Sequence, residues 1–170
     1  MGTHDDVRPA ARLTVLAGPS GAGKDSVTQL VRARSPRLWL PVPVTTRPAR
    51  RYEVDGVHYH FVDRAEFGRL LDGGALLEWS DIGVHRYGTP AGPVRLRLST
   101  GRPVLLPIDL RGARQVRTAL PSARLVYLAP SRADADAAGR EFDATVVNDV
   151  VGRAADELVS LLGSSFLTPT

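Results

Sequence analysis

The sequence contains no cysteine among its 170 residues. This absence excludes disulfide bonds, thiolate catalysis and cysteine-ligated zinc. Aromatic residues make up only 6% of the chain. No apolar run approaches the roughly 20 residues that a bilayer-spanning helix needs. The first twelve residues, MGTHDDVRPAAR, lack the hydrophobic region of a secretory signal. We therefore expect no membrane partner and no secretion.

Lysine is almost absent too, because Lys24 is the only lysine and all other basic residues except histidines are arginines. The net charge is +4 and the pI about 10.1. The arginines are scattered and not interleaved with aromatics, which favours a solvated surface and a site for anionic nucleotides over binding to a nucleic-acid polymer. A hydrophobic content of 43% and a charged content of 24% predict one globular domain over residues 1–170.

The single lysine lies in a pattern of strand, glycine-rich turn and helix. The apolar run Leu13–Ala17 predicts a buried strand, and helical spacing follows over about 25–34. Glycines between them let backbone N–H groups approach a phosphate, the helix N-terminus favours an anion, and the ammonium group adds a positive charge. The pattern predicts a P-loop. Its ATP-binding residues would be Gly18, Ser20, Gly21, Ala22, Gly23, Lys24, Asp25 and Ser26.

One position departs from the P-loop pattern. A serine or threonine that holds Mg²⁺ normally follows the lysine, but here Asp25 does so and the hydroxyl comes one residue later, at Ser26. Asp25 would either ligate Mg²⁺, directly or through water, or only cap the helix. Both alternatives stay open, with Asp25 and Ser26 as the metal candidates. A P-loop without a secretory signal predicts a cytoplasmic protein.

Strand and helix patterns alternate along the rest of the chain, which predicts an α/β domain with a largely parallel sheet. Residues 1–11 are polar and predicted to be frayed. Leu38–Val44 is the second predicted strand, and Pro41 and Pro43 within it predict an edge strand or an irregular one. Asp63 is expected to cap a helix that stops at Gly73-Gly74. The further predicted strands are Leu38–Val44, Val57–Val62, Leu76–Ile82, Arg86–Tyr87, Pro103–Ile108, Leu125–Leu128 and Ala144–Val147, and the further helices are about 90–98, 111–120 and 150–162.

Four sequence blocks resemble the guanylate kinase family of nucleoside monophosphate kinases. They are GPSGAGK, TTRPARRYEVDGVHYHFV, LLEWSDIGVHRYGTP, and IDLRGARQV with VVND, in the family's order over about 13–162. The resemblance implies a three-layer P-loop kinase fold with a central parallel sheet and a small monophosphate-binding insertion at about 43–90. It also implies Mg²⁺-dependent phosphoryl transfer from ATP to a nucleoside monophosphate, most simply GMP to GDP. A homodimer is kept as an open alternative.

The resemblance assigns roles to the matching residues. Lys24 and Arg47 would neutralise the transferred group as the catalytic residues, and Asn148 would lie near the adenine of ATP. Guanidinium groups fit phosphate oxygens bidentately, which independently favours arginine as the phosphate-gripping residue. The acceptor-binding residues would be Arg47, Arg50, Tyr59 and Tyr87 at the phosphate, and Glu78, Thr89 and Asp109 at the base.

Three features depart from the family. Pro43 stands where the family usually has a serine that helps recognise the base, and Pro107 stands where an acidic residue lies near the metal. The helical lid is shortened, since only about thirteen residues, 129–141, fill most of the gap before the VVND block, enough for one short helix at about 1.5 Å per residue. Within it, Arg132 and Arg140 are the candidate charge stabilisers.

Two alternatives follow from these departures. The GKDS sequence also resembles the ribose bisphosphate phosphokinases, which would phosphorylate another small phosphorylated acceptor. A protein without the lid would instead serve as a nucleotide-binding module that lacks efficient catalysis. The intact P-loop and the TTRPARRYEVDGVHYHF block favour the guanylate kinase interpretation over both.

Overall fold

A computed structural model describes residues 12–163 of the chain. The predicted frayed segment 1–11 therefore lies outside the described residues. The strands are β1 (Leu13–Ala17), β2 (Val44–Thr45), β3 (His60–Phe61), β4 (Leu76–Ile82), β5 (His85–Pro90), β6 (Val104–Pro107), β7 (Arg124–Ala129) and β8 (Ala144–Val147). The helices are α1 (Lys24–Arg34), α2 (Arg64–Asp72), α3 (Ala91–Ser99), α4 (Leu110–Ala119), α5 (Arg132–Ala137) and α6 (Val151–Gly163).

The central sheet is parallel and has the order β6-β1-β7-β8. Its strands read as apolar runs because helices cover both faces. Side chains alternate along β1: Leu16 packs into a core built with α1 and α6, whereas Leu13, Val15 and Ala17 pack into a core built with α3 and α4. The result is the predicted three-layer α/β fold of a P-loop kinase.

A second sheet has the order β3-β2-β5-β4, with β2 and β3 parallel and the other pairs antiparallel. All its strands lie between Val44 and Pro90. Its edge strand β4 packs against α4, and Leu77 of β4 is buried in the core on that side of the central sheet. The second sheet is thereby joined to the central sheet through α4.

The prediction of one strand over Leu38–Val44 is wrong. Trp39 forms an isolated parallel bridge to Val104 at the edge of the central sheet, whereas Val44 belongs to the second sheet. The chain changes sheets between them because Pro41 and Pro43 have no N–H group to donate to a ladder. The predicted strand Val57–Val62 is likewise shorter, since only His60–Phe61 pairs in the ladder with β2.

Helix ends follow local chemistry. The Asp63 carboxylate accepts a hydrogen bond from Glu66 N at 2.7 Å and caps α2, as predicted. Ser131 caps α5 by accepting from Asp134 N. The segment after β7 holds only α5 and a 3₁₀ turn over Gly139–Glu141, which confirms that the lid is reduced to one short helix. Within residues 12–163, no helix is long and apolar enough to cross a membrane.

Candidate active site

The P-loop connects β1 to α1. Gly21 and Gly23 have φ values of 82° and 84°, in the left-handed region that glycine adopts at least cost. Gly23 is the N-cap of α1, and Lys24 is the first residue of the helix. The Lys24 ammonium donates to the Gly18 carbonyl at 2.8 Å. The loop thus folds back on its lysine and holds a positive charge at the start of α1.

Asn148, directly after β8, packs against the P-loop. Its Nδ2 donates to the Ala22 carbonyl at 2.7 Å. A Cβ on Gly23 would lie 2.5 Å from that Nδ2, so the loop has no room for a side chain there. Within the described part of the chain, the buried Asn148 Oδ1 has no hydrogen-bond partner. The observed contact of Asn148 is therefore with the loop backbone.

The metal candidates Asp25 and Ser26 lie in the first turn of α1, where both are exposed. No group of three or more histidine, aspartate or glutamate side chains that could hold a metal occurs in residues 12–163. Mg²⁺ is commonly held by one or two carboxylates together with substrate phosphates, and it keeps several waters. One carboxylate and one hydroxyl beside the P-loop fit that mode of binding.

Arg47, the predicted phosphate-gripping residue, forms a bidentate ion pair with Glu53. Its Nη1 and Nη2 donate to Oε1 and Oε2 of Glu53 at 2.7 and 2.9 Å. The two side chains are 13% and 6% exposed, so the pair is largely shielded from water. Glu53 Oε1 also accepts from Arg50 N at 2.8 Å. One carboxylate therefore orders both arginines of the TTRPAR segment.

Electrostatics keep this ion pair charged. The hydrogen bonds from Arg47 lower the pKa of the Glu53 carboxyl to about 2. The same hydrogen bonds, accepted by Glu53, and in lesser measure the Tyr87 hydroxyl, raise the pKa of the Arg47 guanidinium. The guanidinium carbon lies 5.2 Å from the centre of the Tyr59 ring, and the Tyr59 and Tyr87 rings meet edge to face at 6.1 Å. The structure thus brings Arg47, Tyr59 and Tyr87 together, whereas the exposed Arg50 side chain contacts the Tyr52 hydroxyl at 3.5 Å.

The predicted base-binding residues lie at the junction of the second sheet and α4. The Thr89 hydroxyl donates to Glu78 Oε1 at 2.7 Å, and both residues are buried. Burial raises the pKa of the Glu78 carboxyl, the Thr89 hydrogen bond opposes this rise, and the nearby Asp109 charge adds to it. Asp109 caps α4 by accepting from Gly112 N at 2.7 Å. A Cβ on Gly112 would lie 2.8 Å from Glu78 Oε2, so the helix approaches the carboxylate closely only because it carries glycine there.

A cavity of about 480 Å³ is lined by the predicted base-binding residues and by Tyr59 and Tyr87, whereas Arg47 and Arg50 are not part of its lining. Its polar wall consists of Tyr59, Glu78, Ser80, Tyr87, Thr89 and Asp109. Its apolar wall includes Leu40, Pro41, Pro43, Leu106, Pro107 and Ile108. The two prolines that depart from the family therefore lie in the wall of the predicted acceptor pocket, where their rings donate no hydrogen bond.

Sequence reasoning missed three residues of this region. Glu53 is the only acidic residue within the basic loop 45–53, a signal that a search for partners of Arg47 would have found. Ser80 lies two residues after Glu78 on β4, and the period of two puts both side chains on one face of the strand. Gln115 of α4 donates to the Trp79 carbonyl at 2.7 Å and accepts from Trp79 N at 3.0 Å. No local sequence pattern predicts these two hydrogen bonds.

The two candidate lid arginines are less well ordered by contacts. The Arg132 side chain is 84% exposed, and its nearest ion-pair contact is Asp136 at 3.9 Å. Arg140 is exposed in the 3₁₀ turn. The neighbouring Glu141 forms an ion pair with Arg114, so the end of the short segment is held against α4.

Comparison with known proteins yields consistent matches. The family model described as "Guanylate kinase" matches residues 10–141. The guanylate kinase of Thermobifida fusca (strain YX) is 47% identical over 180 residues, covering 90% of this chain and 91% of the relative. That of Frankia casuarinae is 46% identical over 176 residues, covering 88% and 96%. The aligned lengths exceed the 170 residues of this chain, so the relatives have residues without a counterpart here.

Solved structures agree on the fold. A crystal structure of guanylate kinase from Anaplasma phagocytophilum superposes with a TM-score of 0.75 at 24% identity, covering 94% of this chain and 88% of the other. An adenylylsulfate (APS) kinase structure from Mycobacterium tuberculosis, CysC, gives a TM-score of 0.51 at 15% identity, covering 92% and 99%. At these identities the likeness concerns the fold alone.

Proposed function

Because this chain belongs to the guanylate kinase family, we propose that it is a phosphotransferase that transfers the γ-phosphoryl group of ATP to GMP, giving ADP and GDP. The observation that carries the proposal is the cavity with a buried carboxylate, Glu78, at its base-binding end and the tyrosines that contact Arg47 at its phosphate-binding end. A purine monophosphate has hydrogen-bond donors on its base at one end and an anionic phosphate at the other. These match the Glu78 carboxylate at one end of the cavity and the positive charge of Arg47 beside the tyrosines at the other.

Glu78 selects the base in this proposal. An ionised carboxylate accepts hydrogen bonds and donates none, so it suits the adjacent N1–H and 2-amino groups of guanine. Adenine has no N1–H and would leave the buried carboxylate without that donor, which is costly. Thr89 fixes the position of Glu78 and favours its charged form. Asp109 completes the base-binding end.

Arg47 and Arg50 bind the acceptor phosphate, assisted by the hydroxyls of Tyr59 and Tyr87. Glu53 supports this role because it holds the Arg47 guanidinium bidentately and also binds the Arg50 backbone. Arg47 Nη1 also donates to the Pro48 carbonyl at 3.0 Å, so the donors left for phosphate oxygens are those on Nε and on the outer side of Nη2. The arginine is thereby oriented before the acceptor arrives, which lowers the entropic cost of binding.

The P-loop binds ATP, with Gly18, Ser20, Gly21, Ala22 and Gly23 supplying the backbone and Lys24 the charge near the β- and γ-phosphates. Asn148 holds the loop in shape through the Ala22 carbonyl, and in this proposal it lies near the adenine of ATP. Asp25 or Ser26 would hold Mg²⁺, which neutralises phosphate charge when it is bound. Lys24 and Arg47 act as the catalytic residues by stabilising charge on the transferred group, so no general base is required of them.

The shortened segment after β7 affects the rate of phosphoryl transfer that we expect. Arginines that meet transition-state charge contribute on the order of 10³–10⁵ in related phosphoryl transfers. Arg132 and Arg140 are the candidates within the segment, and both are exposed. We therefore expect slower turnover than in relatives with a full lid. A nucleotide-binding module without efficient catalysis is the second candidate, favoured by this one observation.

A coupled assay with ATP·Mg²⁺ tests the proposal. The acceptors are GMP, IMP, AMP and ribose 1,5-bisphosphate, and we expect GMP to give the highest kcat/KM. Glu78→Gln serves as the matched variant: it should lose GMP turnover while its affinity for ATP, measured by calorimetry, stays unchanged. Preference for ribose bisphosphate would assign the chain to the other kinase chemistry. ATP binding without turnover of any acceptor would establish the binding module.

A further inference from the structure

Strand β4, which carries Glu78, is an edge strand of the second sheet, and within residues 12–163 its ladder partner is β5. Edge strands leave outward-pointing N–H and C=O groups without a ladder partner. At Trp79 both of these groups are satisfied by one side chain: Gln115 accepts from the N–H at 3.0 Å and donates to the carbonyl at 2.7 Å. The amide of Gln115 thus pairs with β4 as a neighbouring strand residue would.

Helix α4, which carries Gln115, contacts β4 at two successive turns. Gly112 of α4 lies against the Glu78 carboxylate, with space for no Cβ, and Gln115 lies three residues further along, against the Trp79 backbone. Residues three apart lie on the same side of a helix. Glu78 and Ser80 flank Trp79 and line the cavity, since alternate residues of a strand face the same side. Holding the Trp79 backbone in place therefore also holds the positions of Glu78 and Ser80, which face the cavity.

We propose that Gln115 is a positioning residue for acceptor recognition, which holds β4 against α4 so that the Glu78 carboxylate stays at the base-binding end of the cavity. The inference rests on the proposed phosphorylation of GMP. A neutral amide suits this place because it supplies one donor and one acceptor without adding charge beside the carboxylates of Glu78 and Asp109. Gln115 itself touches neither the phosphate-binding residues nor the P-loop through any hydrogen bond in the described chain.

The test variant is Gln115→Met, which keeps the length of the side chain and removes both hydrogen bonds. Thr118→Ala is the matched control, because Thr118 is exposed one turn further along α4 and its hydroxyl bonds only to the helix backbone. The measurements are KM and kcat for GMP and for IMP, which lacks the 2-amino group, together with calorimetric affinity for ATP. Gln115→Glu keeps an acceptor for Trp79 N–H and provides a second variant should Gln115→Met fail to fold.

We expect Gln115→Met to raise KM for GMP about tenfold, the scale of losing two hydrogen bonds, while KM for IMP rises less. The preference for GMP over IMP should therefore fall, with ATP affinity unchanged and Thr118→Ala behaving as wild type. Gln115→Glu should give an intermediate loss of preference. Unchanged preference in the variants, or a parallel loss of ATP affinity, overturns the inference. A wild-type protein that binds no GMP refutes the proposed function itself, which is a separate outcome.

Discussion

Replacing Thr89 by valine removes the hydrogen bond that the buried Glu78 carboxylate receives while preserving the shape of the side chain. Thr89 is 1% exposed and Glu78 is 6% exposed, so the hydrogen bond between them lies largely away from bulk water. Hydrogen bonds to charged groups contribute about 1.5–3 kcal/mol. We expect Thr89→Val to lower the free energy of unfolding by about that amount at a pH above the raised pKa of the Glu78 carboxyl.

The loss should depend on pH in a defined direction. Burial already raises the pKa of the Glu78 carboxyl above its unfolded value, and the Thr89 hydrogen bond limits that rise. Without Thr89 the pKa rises further, so the native state binds a proton at a pH where the unfolded state does not. Stability then falls as pH rises through the gap between the two pKa values. The deficit of the variant should therefore be full above the raised pKa and should shrink as pH falls and the carboxyl becomes protonated.

Urea unfolding of wild type, Thr89→Val and Thr89→Ser across this pH range measures the effect. Thr89→Ser keeps the hydroxyl and loses one methyl group, so its deficit should be smaller and nearly independent of pH. The acid limb of kcat/KM for GMP should move to higher pH in Thr89→Val, because binding requires the ionised carboxylate. An equal deficit at all pH values in Thr89→Val, or an equally large one in Thr89→Ser, would show that packing dominates and refute the reasoning.

Three further predictions concern the charged groups of the site. Lys24→Ala should abolish ATP binding without lowering Tm, as calorimetry and thermal melting will show; unchanged ATP affinity would contradict the P-loop assignment. Arg47→Ala should weaken GMP binding about 30-fold or more, the scale for truncating one partner of a buried charge pair, with ATP affinity nearly unchanged; a calorimetric GMP titration that matches wild type would contradict this. If Arg132 or Arg140 replaces the lid, its change to alanine should lower kcat far more than it raises KM, and rapid turnover by both variants would exclude that role.

The parts of the site that could be predicted from sequence are those set by local chemistry. The P-loop was found because its glycines and lysine are adjacent, and its geometry depends on backbone conformations that only a few residue types adopt easily. The cap at Asp63 was found for the same reason. The split at Pro41 and Pro43 was only half predicted: the prolines signalled irregularity, but which sheet each half joins depends on tertiary pairing.

The missed residues act through contacts between distant segments. Gln115 and Trp79 are 36 positions apart and meet only because α4 packs on β4. Glu53 is six positions from Arg47, yet their pairing depends on how the loop folds back toward Tyr59. Asn148 itself was predicted as a site residue, but its contact with Ala22 was not, because it spans 126 positions and depends on the parallel arrangement of β1, β7 and β8. Such pairs leave no periodic signal in the sequence, because neither partner is unusual for its own element.

In the proposed reaction, charge stabilisation rests on Lys24 and Arg47, two groups that other contacts already hold. The Lys24 ammonium is bound to the Gly18 carbonyl at 2.8 Å, and the Arg47 guanidinium is bound at both Nη atoms by Glu53. Preorganised charges stabilise a transition state without reorganising during the reaction. Arg132 is 84% exposed and would lose rotamer freedom of up to about 2 kcal/mol on moving into the site. We therefore expect Lys24 and Arg47, rather than the exposed Arg132, to set the rate that this chain reaches unaided.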